Sequence, residues 1–177
     1  MNSLVPPEPP SMTPPFIISM SLSSTGLIAA TLADGRIWVG TGGAKTPKSG
    51  NQRSKRSRKW EGLREAAGCY KEVASGPVVA SSFTPDGTSL ITSSLLGKLA
   101  RHTVTFENEN VEINTIWNGE TKGLEKVSAI ALSEKWLAVG GFGSDAKGLV
   151  EIWRHNDEVG ENVATKMEHL SVSSTQA

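Results

Sequence analysis

The sequence predicts an all-β protein made of three repeated antiparallel units, and three observations carry that reading. Phe16 to Gly40, Pro77 to His102 and Lys126 to Trp153 each run as apolar strand, turn, apolar strand, glycine-bearing turn, apolar strand. Leu22, Phe83 and Leu132 fall at one position of the unit, and Gly35, Gly97 and Gly148 fall at another. A unit of this kind cannot bury both apolar faces by itself, so the units are expected to stack.

The first strand of each unit ends at the shared apolar residue and passes into a polar turn. These turns are Ser23-Ser24-Thr25-Gly26, Thr84-Pro85-Asp86-Gly87 and Ser133-Glu134-Lys135. The second strands, Leu27 to Leu32, Ser89 to Ser94 and Trp136 to Gly140, are rich in Ile, Leu, Val and small residues, the composition of buried strands. The next turn falls at Asp34-Gly35, Leu96-Gly97 and Lys147-Gly148, where glycine accepts a positive φ without steric cost. It introduces the third strands, Arg36 to Val39, Lys98 to Arg101 and Leu149 to Trp153.

From Phe16 to Leu170 the chain resembles the WD-repeat β-propeller family, whose blades carry four antiparallel strands with a Trp-Asp pair closing the third. The best match is Gly148-Leu149-Val150-Glu151-Ile152-Trp153-Arg154, with Trp153 in the Trp place and Arg154 in the Asp place. The resemblance implies a partial β-propeller of about three four-stranded blades, at 16–75, 76–125 and 126–170, with a proline-rich linker at 1–15 and a polar tail at 171–177. Candidate outer strands are Cys69 to Ala74, Val111 to Trp117 and Val163 to Leu170. Val163, Met167 and Leu170 are spaced as on a helix, but the last blade needs a fourth strand, and local propensity is the weaker determinant. Propellers close with roughly four to eight blades, so three blades imply either the C-terminal part of a larger ring or closure by self-association.

The corner glycines are 62 and 51 residues apart, against a family period of about 40–45, so both gaps carry insertions. The first, at 41–60, holds Lys45, Lys48, Arg53, Lys55, Arg56, Arg58 and Lys59 without an acidic residue and is expected to be a disordered loop. Lys55, Arg56, Arg58 and Lys59 suit a nuclear localisation signal or a polyanion contact, and Trp60 adds a stacking side chain at the edge. A solvated loop with no specific role accounts for them equally. Six of the nine prolines lie between Pro6 and Pro15, suiting a polyproline II ligand or a stiff linker.

Catalytic chemistry finds no support in the residue pattern, and no cofactor or metal is expected. Cys69 is the only cysteine, and His102, His155 and His169 have no carboxylate or cysteine at metal-ligand offsets, so they are expected at strand ends or the surface. Gly140-Gly141-Phe142-Gly143-Ser144-Asp145 lacks the helix and the Gly-Lys-Ser/Thr ending of a phosphate loop and is expected to be a hairpin. The N-terminus has no basic stretch leading into an apolar one, and no apolar run approaches about eighteen residues, so an intracellular chain, cytoplasmic or nuclear and outside the membrane, is expected.

The resemblance implies a non-catalytic platform that binds protein partners through blade loops and rim. The Trp-Asp-x-Arg pattern of ubiquitin-ligase receptors in the family is absent, since this chain has Trp153-Arg154-His155-Asn156 there. Candidate contacts are Phe142, Trp60 and the basic loop, because aromatic and Arg side chains dominate interface energetics. Trp38, Trp136 and Trp153 are assigned instead to the core, with Leu22, Phe83 and Leu132. Nucleic acid through the basic loop is the alternative partner.

Overall fold

The computed structural model describes residues 16–44, 60–107, 110–155 and 167–170. Twelve strands form three antiparallel sheets of four, each built from consecutive strands. The first contains β1 (Ile17–Leu22), β2 (Leu27–Leu32), β3 (Arg36–Ala44) and β4 (Trp60–Glu72). The second contains β5 (Val78–Phe83), β6 (Ser89–Ser94), β7 (Lys98–Glu107) and β8 (Asn110–Glu120). The third contains β9 (Lys126–Leu132), β10 (Trp136–Phe142), β11 (Gly148–His155) and β12 (Met167–Leu170).

The turns repeat one local chemistry. Ser23 Oγ accepts the N–H of Leu27 at 2.8 Å, Thr84 Oγ1 that of Ser89 at 3.0 Å, and Ser133 Oγ that of Trp136 at 3.1 Å. One hydroxyl thus opens the second strand of every sheet. Carboxylates fold two other turns, and brace the Thr84 turn as well, by accepting the N–H two residues on, from Asp34 to Arg36, Asp145 to Lys147 and Asp86 to Thr88, each at 3.1 Å. At the corners Gly35 and Gly97 have φ of +90° and +82°, as expected. Their carbonyls accept the N–H groups of Val73 and Thr121, which fastens the end of each outer strand to its own sheet. Gly148 departs from the expectation: the positive φ there belongs to Ala146, at 58°, because the third hairpin turns through Gly143 to Lys147.

The outer strands have different bounds from those expected, because pairing rather than composition sets their ends. β3 runs on to Ala44 and β4 begins at Trp60, with Ala44 opposite Trp60 and two register shifts between Gly40 and Ala44. Part of the expected insertion at 41–60 is therefore ladder, and 45–59 lies outside the described residues. At the C-terminal end Met167–Leu170 pairs with β11 as a strand, Ile152 opposite Leu170, which removes the helical alternative for these four residues; Val163 lies outside the described residues.

The sheets stack face to face, with the second in the middle. Leu27, Ala29, Ile37 and Val39 of the first sheet meet Phe83, Leu90, Val104 and Ile113 of the second. Ile91 and Leu99 on the opposite face of the second meet Val127, Leu137, Val139 and Trp153 of the third. Trp117 joins that cluster, its ring edge-on to Trp153 at 5.9 Å between centroids. Alternation along the strands supplies both faces at once, since neighbouring residues point to opposite sides. Polar ties across the first interface include Ser21 Oγ to Ser81 Oγ at 3.0 Å, Lys71 Nζ donating to the Ile113 carbonyl at 2.9 Å, and Ser24 Oγ donating to the Pro85 carbonyl at 3.2 Å.

Trp38, Trp153 and Phe83 are buried, as expected, and Leu132 is partly buried against the second cluster. Leu22 and Trp136 require correction: they are 71% and 42% exposed. Leu22 lies on the face of β1 turned away from the second sheet, and Trp136 on the face of β10 turned away from it. No described sheet covers either face.

The corner geometry gives a stability test. A Cβ at Gly35 would sit 1.9 Å from the Ala74 carbonyl oxygen, whereas one at Gly26, also at positive φ, would meet nothing within 4 Å. Gly35→Ala is expected to cost at least about 2 kcal/mol and Gly26→Ala about 1 kcal/mol, read from urea midpoints at unchanged slope.

Candidate functional site

Between the first and second sheets lies a cleft of about 510 Å³. Val73 and Ala74, just past the end of β4, wall one side, and Thr92, Asn118, Lys98 and Glu120 of the second sheet the other. Lys98 and Glu120 are exposed partners in the β7–β8 register, so the cleft carries one charge of each sign.

One repeat position in its lining differs in every sheet. The third residue after each corner glycine is Trp38, Ala100 and Glu151 in the three sheets. Trp38 in the first sheet is 4% exposed and its indole lies so close over Gly68 that a Cβ there would come within 2.3 Å. Ala100 in the second sheet offers only a methyl group and lines the cleft.

Glu151, at the equivalent place in the third sheet, is 3% exposed. Its carboxylate accepts the backbone N–H groups of Lys122 at 2.9 Å, Gly123 at 2.6 Å and Leu124 at 3.2 Å. Three converging N–H groups satisfy a buried charge, and here they lock the β8–β9 connection onto the third sheet. Glu151→Ala is expected to cost on the order of 3 kcal/mol, because those donors lose their acceptor, while Glu151→Gln costs less; urea denaturation measures both.

Beneath the cleft sits a residue that sequence reasoning placed wrongly. His102, expected at a strand end or the surface, is fully buried in β7. Its Nε2 lies 3.0 Å from Thr92 Oγ1 and its Nδ1 3.0 Å from Thr115 Oγ1. Two hydroxyls can each donate or accept, so they satisfy a neutral imidazole in either tautomer. Burial, with the Lys71 charge as a lesser cause, lowers the His102 pKa to about 4. The unfolded chain then binds the extra proton between about pH 6.5 and 4, so stability is full above that window and falls as pH drops through it. The loss is expected to be on the order of 3 kcal/mol and to vanish in His102→Gln, as urea midpoints from about pH 4 to 7 will report.

Among the expected contact residues, Phe142 ends β10 and is 51% exposed, opposite Gly148 and Lys126. Trp60 opens β4, and Lys55, Arg56, Arg58 and Lys59 lie outside the described residues. Phe142 does not line the cleft. The cleft residues carried no sequence signal of their own, except that Ala100 breaks the large-residue pattern set by Trp38. Gly140 and Gly141 belong to β10, and the hairpin follows at Gly143 to Lys147. Among the described residues no group of three His, Cys, Asp or Glu side chains is placed to hold a metal. No helix among them is long and apolar enough to cross a membrane.

No protein-family model and no curated protein matches the sequence. Solved structures do match. Sqt1 from Saccharomyces cerevisiae superposes over 88% of this chain, with a TM-score of 0.58 at 15% identity. The β-propeller domain of Cps50 (Swd1) from Myceliophteria thermophila covers 86%, with a TM-score of 0.52 at 12% identity. The fold is an arc of a β-propeller. Each sheet is one blade, with β1, β5 and β9 as first strands. Sqt1 from Chaetomium thermophilum, solved bound to the N-terminus of the ribosomal protein L10, matches 89% of the arc with a TM-score of 0.56 at 12% identity. The arc spans 34%, 43% and 38% of these three chains, respectively.

Proposed function

We propose that this chain is a non-catalytic scaffold that binds a protein segment in the cleft between its first and second blades. The observation that carries the reading is the open space at Ala100, in a stack whose neighbouring blades fill the same repeat position with Trp38 and Glu151. The lining mixes apolar and polar side chains with one lysine and one glutamate, the chemistry of a peptide groove rather than of a polyanion site. The Chaetomium thermophilum Sqt1 complex supports it by analogy of fold, since there a propeller of this type is bound to a protein terminus.

Selection of a displayed random-peptide library against the full chain tests the proposal. Selected peptides are expected to lose about tenfold or more in affinity on Ala100→Trp, which restores the filling seen in the first blade, and on Asn118→Trp at the wall. Their affinity is expected to change less than about threefold between roughly 50 and 300 mM salt, where phosphate-type contacts would fall steeply. Peptides indifferent to both substitutions would place binding elsewhere and reject the cleft.

A further inference from the structure

The cleft is bordered by the open edge of a strand. β8 is the outermost strand of the second sheet and, among the described residues, pairs only with β7. Residues opposite each other in an antiparallel ladder alternate between pairs that exchange their N–H and C=O groups and pairs whose groups point away from each other. Thr121 donates its N–H to the Gly97 carbonyl at 2.9 Å, and the register continues with Glu120 opposite Lys98, Gly119 opposite Leu99 and Asn118 opposite Ala100. Gly119 is therefore bonded to β7, whereas the N–H and C=O groups of Asn118 and Glu120 face outward. No described strand pairs with them.

The same residues line the cleft, across from Val73 and Ala74. Sheet edges are commonly closed to other strands by lysine, proline or a bulge. Between Trp117 and Glu120 there is neither lysine nor proline, and Glu120 is the single charge. A bulge does occur at Ile116, where the register shifts between the Arg101–Trp117 and His102–Thr115 pairs, and it ends the regular edge on that side. The corner at Thr121 ends it on the other. What remains is a short regular edge that opens onto the cleft. On β4 the Val73 to Gly35 bond sets the same alternation, which turns the backbone groups of Tyr70 and Glu72 outward, but neither residue lines the cleft.

We infer that the protein segment held in this cleft binds as an added β-strand, its backbone pairing with the outward N–H and C=O groups of Asn118 and Glu120. The inference rests on the reading of the cleft as a peptide groove and deepens it by stating how the segment is held. Ala100 and Asn118 are opposite each other and share one face of the sheet, the face on which the cleft lies. A strand added beside β8 continues that face, so every second side chain of the ligand enters the cleft against Val73, Ala74 and the Ala100 methyl group. Backbone pairing then supplies a hold that does not depend on sequence, and the cleft selects among side chains. Lys98 and Glu120 add one charge of each sign to that selection.

A backbone N-methyl scan of the library-selected peptides, with affinities for the full chain read by calorimetry, tests it. Methylation is expected to weaken binding about tenfold or more at alternate residues and less than about threefold at those between, because only every second N–H of an added strand points at β8. Asn118→Pro removes one outward N–H without breaking the ladder, as proline is tolerated where that group faces out of a sheet. It is expected to bind the peptides about fivefold more weakly than Asn118→Ala, which keeps the N–H, while still unfolding cooperatively. If Asn118→Pro does not fold, Glu120→Pro against Glu120→Ala replaces it. Peptides that respond to Ala100→Trp but show no alternation in the scan overturn the added strand and leave the cleft as the binding site. Alternation without a response to proline places the pairing on another edge and overturns it equally. Peptides indifferent to Ala100→Trp reject the cleft and this inference with it.

Discussion

A β-sheet whose residues are apolar on both sides must be covered on both sides, and everything else in this molecule follows from that requirement. Leu27 and Ile28, or Leu90 and Ile91, are neighbours pointing to opposite faces, and all four are buried. Burying each such side chain contributes about 1.5–3 kcal/mol, so an uncovered face loses several times the worth of any one cross-blade hydrogen bond. The polar ties between blades, such as Ser21 with Ser81, therefore act to set register, while the apolar contacts supply the stabilisation.

The parts legible in the sequence are those decided within a few residues. The turn hydroxyls Ser23, Thr84 and Ser133 and the corner glycines Gly35 and Gly97 do locally what their residue types allow, so the second and third strands were readable. The outer strands were less readable because their ends depend on how far a distant partner continues. β3 and β4 remain paired out to Ala44 and Trp60 through two register shifts, which no composition rule anticipates. His102 escaped for a related reason: its partners Thr92 and Thr115 lie on the adjacent strands, and only the folded ladder brings their hydroxyls to its ring.

Leu22 and Trp136 were misplaced for a more instructive reason. Their sequence positions are core positions, as Phe83, Leu27 and Ser89 show. A repeat pattern records the face a residue occupies within its unit, but burial also depends on whether another unit stands beside that face. Both lie on outer faces of the stack, although Ile28 and Trp38, on the same face of the first sheet as Leu22, are buried.

The same logic separates architecture from function. Positions such as Leu22, Phe83 and Leu132 are filled alike in every blade, and others are filled differently. At the third residue past the corner glycine the first blade places an indole over Gly68, the third a carboxylate that binds three backbone N–H groups, and the second only the methyl of Ala100. The indole consumes its space within its own blade, and the carboxylate consumes its space in fastening the β8–β9 connection to the third blade. The second blade instead anchors itself lower down, through His102 between two threonines, and leaves the room above Thr92 open. A neutral imidazole suits that place because it satisfies both hydroxyls without a charge, and so supports the cleft floor without imposing a sign on what enters. At this junction the second blade sets only a methyl group beside open space while the fold is kept, and that gives a physical reason to look for a ligand there.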